Sequence, residues 1–108
     1  MNEKIIKKTV LVTGASSGVG LTLARYFSKK GFSVIAAARR VDEMKVSFAN
    51  DKNISIQYLD LNDVKYIPVF VESLVERYKY IPYLINNAGV NINQYINKIR
   101  YRELIQSF

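Results

Sequence analysis

The sequence predicts an α/β fold in which a parallel sheet carries helices on both faces. Strand-like and helix-like segments alternate along the 108 residues in the order β-α-β-α-β-α-β-α. The strand segments are apolar throughout, which is typical of strands buried on both faces. A glycine-rich stretch, residues 13–20, joins the first strand to the first helix. Because crossovers between parallel strands are right-handed, we expect the strand order 3-2-1-4.

The first helix, at residues 18–30, is predicted between strands at 8–13 and 32–38. Both strands are continuous runs of mostly β-branched or small apolar side chains. The helix ends in two lysines, which suit the negative end of its dipole, and Gly31 follows as a predicted C-cap. Its apolar face would consist of Val19, Leu23, Ala24 and Phe27.

The next three elements are predicted from caps and periodicity. Residues 42–49 predict a short helix that Asp42 caps, and residues 54–59 predict the third strand. A longer helix follows at about 65–79. Pro68 must lie in its first turn, because proline lacks the N–H donor that an interior position needs.

The remaining chain predicts one more strand and one more helix. Residues 82–86 predict the fourth strand, and the asparagine-rich residues 90–97 predict a loop. The sheet is thus expected to stop after the fourth strand and the helix that follows it, which leaves an open edge. The apolar face of this last helix would consist of Tyr101, Leu104, Ile105 and Phe108.

Composition and charge exclude several kinds of site. The chain has no cysteine and no histidine, which excludes disulfides, thiolate zinc sites and histidine-based catalysis within it; we expect no metal site. Without cysteines or a recognisable signal peptide, a reducing compartment, the cytoplasm, is expected. No stretch approaches membrane-spanning length, so no membrane partner is expected. The net charge of +7 comes from scattered basic clusters and favours an anionic ligand.

The turn Gly14-x-x-x-Gly18-x-Gly20 has the properties of a pyrophosphate-binding turn. Gly14 suits the turn itself, Gly18 a close approach of main chain to the anion, and Gly20 close packing of helix on strand. The N–H groups at the helix N-terminus would face the anion. The spacing differs from the common G-x-G-x-x-G pattern, and a plain strand-to-helix connection that carries glycines is the alternative for the turn alone.

The second predicted strand ends in residues that suit a 2′-phosphate. Ala38 stands where a site for NAD usually has an acidic residue, and Arg39 and Arg40 follow it. A guanidinium binds phosphate through charge-assisted hydrogen bonds, so we expect NADP rather than NAD. Taken alone, two exposed arginines would simply begin a loop.

The third and fourth strands end in Asp60-Leu61 and Asn86-Asn87-Ala88-Gly89. The Asp60 carboxylate would accept a hydrogen bond from an adenine amino group, with the Leu61 backbone beside it; a helix-capping aspartate is the alternative, a role that Asp63 also suits. Asn86 would tie strand ends together. The three residues after it would let the main chain pass close to a ribose, although such a tetrapeptide alone is an ordinary turn.

Together these four motifs resemble the short-chain dehydrogenase/reductase family in order and spacing, from about Thr9 to Phe108. The resemblance implies a Rossmann-like fold, NAD(P)-dependent oxidoreductase chemistry, and a chain whose residues 1–108 are the N-terminal part of a single NAD(P)-binding domain. The cofactor-binding residues it implies are Gly14, Ser16, Ser17, Gly18, Val19, Gly20, Arg39, Arg40, Asp60, Leu61, Asn87, Ala88 and Gly89.

One part of the family pattern is missing from the sequence. Members that do chemistry carry an Asn, a Ser and a Tyr-x-x-x-Lys motif later in the chain, where the lysine lowers the pKa of the proton-relaying tyrosine. The only Tyr-x-x-x-Lys here joins Tyr26 to Lys30 in the first helix, which we interpret as a surface pair. We therefore assign no catalytic residue and expect the catalytic half to be absent.

Three functions stay open at this level. The chain is the NADP-binding part of a short-chain oxidoreductase, a non-catalytic dinucleotide-binding or interaction module, or a basic nucleic-acid-binding protein. Scattered charge and the lack of an aromatic platform disfavour the third, so no nucleic-acid partner is expected. The exposed apolar edge predicts self-association or binding of a complementary C-terminal segment.

Overall fold

The computed structural model describes residues 8–79 and 81–87, together with the backbone of residues 104–106. Strands and helices alternate as predicted for most of this length. In chain order they are β1 (Thr9–Thr13), α1 (Gly18–Lys29), β2 (Ser33–Ala38), α2 (Val41–Ser47), β3 (Ile54–Tyr58), a 3₁₀ turn (Val64–Tyr66), α3 (Ile67–Tyr78), β4 (Ile81–Ile85) and β5 (Leu104–Gln106).

The strands form one parallel sheet in the order β3-β2-β1-β4-β5. The predicted order 3-2-1-4 is therefore confirmed. The winding of the chain reverses between β1 and β4, so the segments that follow these two strands diverge from one another. A crevice at such a reversal is where open α/β sheets hold their ligands.

The two faces of the sheet bury different side chains, as alternation along a strand requires. On β1, Val10 and Val12 pack in the cluster that contains buried residues of α1 and α2, whereas Leu11 packs in the cluster formed with α3. Every side chain of β1 is buried. The central strand is thus covered on both sides, which confirms the Rossmann-like layering of helix, sheet and helix.

Gly31 ends α1, although as the residue after the C-cap rather than as the cap itself. Its φ of 92° lies in the left-handed region that glycine adopts freely. Its N–H donates to Ser28 O at 3.0 Å, and the Phe32 N–H donates to Phe27 O at 3.0 Å. This pair of bonds is a Schellman motif, which satisfies the last carbonyl groups of the helix.

The position of Pro68 in the structure agrees with the position predicted from the sequence. α3 begins at Ile67, so the proline occupies the first turn, where its missing N–H costs no intrahelical bond. The face of α3 buried on the sheet consists of Ile67, Phe70, Val71, Leu74 and Val75.

The predicted capping of α2 by Asp42 is wrong. The Met44 N–H donates to Arg40 O at 3.1 Å, so the helix begins one residue earlier and Arg40 is its N-cap. Asp42 and Glu43 instead lie in the first turn, where negative charge interacts favourably with the helix dipole.

The predicted final helix is wrong at residues 104–106, which form β5 beside β4. The apolar spacing of Leu104 and Ile105 serves a strand as well as a helix, and β4 offers unpaired N–H and C=O groups along its edge. Pairing with β5 satisfies part of that edge, so β4 is not left open. The predicted loop at 90–97, and Tyr101 and Phe108, lie outside the described residues.

Candidate functional site

A cleft of about 310 Å³ lies beyond the carboxyl ends of β1, β2 and β3. Its walls come from the segments that immediately follow these strands, as the motif positions predict. The predicted binding residues that line it are Gly14, Ser16, Ser17, Arg39, Arg40, Asp60 and Leu61.

The turn after β1 presents an uncapped helix N-terminus at this cleft. Gly14 and Gly18 have φ values of 63° and 57°, in the region that favours glycine. Ser17 is the N-cap of α1, but its side chain makes no capping hydrogen bond, and the first turn has no acidic residue. The first N–H groups of α1 are therefore free of side-chain acceptors, and the positive end of the dipole is available to an anion.

Gly20 has a packing role rather than a lining role. A Cβ at this position would overlap the carbonyl oxygen of Gly14 and would lie 2.7 Å from Asn87 Nδ2. α1 consequently approaches the turn so closely that only glycine fits. By contrast, a Cβ on Gly18 would meet no atom within 4 Å from elsewhere in the described residues, beyond its own helix and chain neighbours, and Val19 is 64% exposed.

Thr13 joins the end of β1 to the segment that follows β4. Its Oγ1 lies 3.2 Å from Asn86 Oδ1 and 3.4 Å from Ile85 O, the acceptors for its one proton, and it accepts from the Asn87 N–H at 3.0 Å. The Asn87 side chain donates from Nδ2 to Gly14 O at 3.4 Å. Asn86 thus ties strand ends as expected, whereas Asn87 supports the glycine turn. Ala88 and Gly89, predicted as binding residues, lie outside the described residues.

Arg39 is an exposed cation at the cleft that makes no ion pair with any residue the structure describes. Arg40 differs, because its Nη1 lies 3.7 Å from Glu43 Oε1. Both arginines also border a second, adjoining cleft of about 360 Å³ on the side of α2. Two guanidinium groups therefore lie at the end of β2, and within the described residues Arg40 is in an ion pair whereas Arg39 is not.

Asp60 shapes the segment after β3. Its Oδ1 accepts from the Asn62 N–H at 2.9 Å, and its backbone carbonyl accepts from the Asp63 N–H at 3.0 Å. The carboxylate thus closes an Asx turn ahead of the 3₁₀ turn, while Asp63 makes no side-chain cap. A carboxylate with one such bond keeps acceptor capacity for a ligand amine.

Two polar residues of this site, Asn62 and Thr13, were not among the predicted binding residues. Asn62 lines the cleft, and Thr13 holds the strand ends together. A fully buried threonine at the last position of a central strand is the signal that identifies Thr13, although its partners lie more than seventy residues away.

Tyr26 and Lys30 lie far from the cleft. Tyr26 lies in the last turn of α1 and Lys30 is its C-cap, whereas Ser17 is the N-cap at the other end of this 12-residue helix, about 18 Å away. The Lys30 ammonium lies 5.6 Å from the centre of the Tyr26 ring, and the tyrosine is 51% exposed. Their interpretation as a surface pair is confirmed.

Within residues 8–79 and 81–87, no three acidic side chains come together as metal ligands would. None of the helices that the structure describes has the length and apolar character needed to cross a bilayer.

Comparison with known proteins connects this geometry to a family. The family model described as short chain dehydrogenase matches residues 8–108. A dehydrogenase/reductase SDR family protein 7-like from Drosophila melanogaster is 40% identical over 93 residues, covering 79% of this chain and 28% of that protein. An NADP-dependent 3-hydroxy acid dehydrogenase from Schizosaccharomyces pombe is 40% identical over 89 residues, covering 77% and 34% respectively.

A solved structure shows the same likeness in three dimensions. A variant of actinorhodin polyketide ketoreductase with NADPH superposes with a TM-score of 0.68 at 33% identity, covering 78% of this chain and 34% of that one. The chain spans about a third of the length of these relatives.

Proposed function

This chain belongs to the short-chain dehydrogenase family, and on that premise we propose that it is the NADP-binding part of an oxidoreductase. The whole protein would transfer hydride between NADP(H) and a carbonyl or alcohol substrate. Residues 1–108 would be the N-terminal part of one Rossmann-like domain. The observation that carries the proposal is the uncapped N-terminus of α1 at the same cleft as the guanidinium of Arg39, which makes no ion pair within the described residues.

The residues present fit the adenosine half of such a cofactor. The pyrophosphate would lie against the first N–H groups of α1, near Gly14, Gly18 and Val19, with the hydroxyls of Ser16 and Ser17 beside it. The space around Gly18 supports this placement, because, apart from its chain neighbours and its own helix backbone, no atom of the described residues lies within 4 Å of where its Cβ would be. Gly20 and Asn87 would act indirectly, by holding the turn in place.

The end of β2 favours NADP over NAD in this proposal. Ala38 offers no carboxylate to hold a ribose 2′-hydroxyl, and the exposed guanidinium of Arg39 would bind a 2′-phosphate instead, with Arg40 beside it. Asp60 and the Leu61 backbone would meet the adenine. The relatives support this preference, since one is NADP-dependent and another has been solved with NADPH.

The chemistry would depend on more than these residues. A bound nicotinamide supplies or accepts the hydride. The described residues would bind and orient the cofactor, but they bring no acid–base pair to the cleft. The family's Tyr-x-x-x-Lys pair would come from a further part of the protein. Ala88 and Gly89, in the segment after β4, would complete the adenosine side of the site.

Arg39→Ala is the most selective test of the proposal that Arg39 binds the 2′-phosphate. We expect it to weaken NADPH binding about 10- to 100-fold, the worth of a hydrogen bond to a charged group, and to leave NADH binding within about two-fold. Isothermal titration calorimetry measures both. Lys45→Ala is the matched control, since it removes an exposed cation of α2 that lines neither cleft. An equal loss for NADPH and NADH would contradict the assignment.

We also propose that the chain associates with itself or with a complementary segment. Among the described strands, β3 and β5 are the sheet edges, and an unpaired edge is a template for another strand. Sedimentation velocity at several concentrations is expected to show a shift toward dimer, and a monomer at every concentration would contradict self-association.

The cysteine-free composition favours a cytoplasmic location, which imaging of a tagged protein tests.

A further inference from the structure

Arg40 and Glu43 form an ion pair at the start of α2, on the border of the second cleft. Arg40 Nη1 lies 3.7 Å from Glu43 Oε1, and the two side chains are 61% and 58% exposed. Arg39 and Asp42 line the same cleft. Its walls therefore carry two cations and two anions, and the positive charge that would attract a phosphate is offset locally.

The position of Glu43 in the first turn of α2 would allow it an alternative partner to this guanidinium. Arg40 is the N-cap of α2 and Glu43 is the third helical residue after it. A glutamate in that register commonly accepts from the N–H of the N-cap residue, as in a capping box. α2 has no such side-chain cap in this structure, because Glu43 contacts the guanidinium instead. Glu43 can release Arg40 and still interact favourably with the helix N-terminus.

We propose that Glu43 is a specificity-determining residue of the cofactor site, because it competes with the 2′-phosphate for Arg40. This inference rests on the proposed function. A phosphate monoester carries about −1.5 to −2 charges at neutral pH, and Arg39, which has no ion pair among the residues that the structure describes, is the first cation available to it. Arg40 joins only by exchanging the Glu43 carboxylate for a phosphate oxygen. NAD has an uncharged hydroxyl at that place and cannot drive the exchange, so Glu43 lowers the selectivity for NADP.

Glu43→Gln tests the competition directly. We expect the variant to bind NADPH about two- to five-fold more tightly, the range that an exposed ion pair supports, with NADH binding unchanged. Glutamine keeps a side-chain oxygen for the helix N-terminus, and circular dichroism checks that α2 stays folded. Asp42→Asn is the matched control, because it removes a neighbouring negative charge that forms no ion pair in the described chain.

The Arg40→Ala background separates competition from simple repulsion. If Glu43 acts through Arg40, then Glu43→Gln changes NADPH affinity by less than about 1.5-fold once Arg40 is absent. A gain of equal size in both backgrounds, an equal gain from Asp42→Asn, or no gain at all would overturn the inference. Failure of the wild-type chain to bind NADPH would instead count against the proposed function, so the two failures are distinguishable.

Discussion

At Gly20 the backbone of α1 passes so near the glycine turn that even a methyl group does not fit. The clash would be with the carbonyl of Gly14 and the side chain of Asn87, whose hydrogen bond holds the glycine turn against the segment that follows β4. Because the first obstacle is backbone, the helix itself would have to move. One glycine therefore couples the packing of α1 to the shape of the proposed binding site.

Gly20→Ala is expected to lower the free energy of unfolding by about 1–3 kcal/mol, the usual cost of overpacking a tight contact. Urea denaturation followed by circular dichroism measures it. Val19→Ala, on the exposed side of the same turn, is the control and is expected to change stability by less than about 0.5 kcal/mol. Equal stability of the two variants would show that α1 shifts without penalty.

Among the elements, β1 and β4 are connected beyond their last paired residues by the hydroxyl of Thr13, in addition to the bond from Asn87 Nδ2 to Gly14 O. Thr13 Oγ1 accepts from the Asn87 N–H and has Asn86 Oδ1 and Ile85 O as acceptors. The segment that follows β4 begins from these contacts. The relative position of the glycine turn and that segment is thus fixed at the point where β1 and β4 diverge.

Thr13→Val replaces this hydroxyl with a methyl group of similar size and leaves the Asn87 N–H without its acceptor. We expect a loss of about 1–2 kcal/mol in the free energy of unfolding. Thr9→Val is the matched control: Thr9 is also buried on β1, and its hydroxyl makes no hydrogen bond within the described chain. Chemical denaturation compares the two, and a Thr13→Val protein as stable as Thr9→Val would contradict the role of Thr13.

Most elements were predictable because their signals are local. The continuous apolar run of β1, the glycine after α1 and the position of Pro68 each need only neighbouring residues for their interpretation. β5 was not predictable in this way, because residues 104–106 become a strand by pairing with β4, a contact about twenty residues away in sequence. The start of α2 was missed by one residue, since Asp42 suits the first turn as well as the cap.

In the candidate site, too, features with local signals were predictable and features that depend on distant contacts were not. The strand-end positions of Gly14, Arg39 and Asp60 follow from the order of motifs, because parallel strands bring their carboxyl ends to one edge. The pairing of Arg40 with Glu43 depends on side-chain conformation at a helix start. The hydrogen bond at Thr13 depends on a partner in the segment that follows β4. Neither has a distinctive sequence pattern.

On the scale of the whole molecule, the fold brings the candidate binding groups to one edge of the sheet. The parallel strands, the two layers of helices and the reversal between β1 and β4 together produce this arrangement. The uncapped end of α1, the arginines after β2 and the Asx turn after β3 all lie at that edge. The net charge of +7 adds a long-range attraction for a polyanion. The chain spans about a third of its relatives, so substrate recognition is proposed for the remainder of the protein.

Calorimetric titration of the 108-residue chain with NADPH, and separately with NADH, tests the central claim most directly. The account predicts saturable one-to-one binding of NADPH, at least about ten-fold tighter than that of NADH, because only NADPH offers a 2′-phosphate to Arg39. Circular dichroism on the same sample establishes that the chain is folded. A folded chain that binds neither dinucleotide would contradict the claim of a cofactor site, and equal affinities would contradict the preference for NADP.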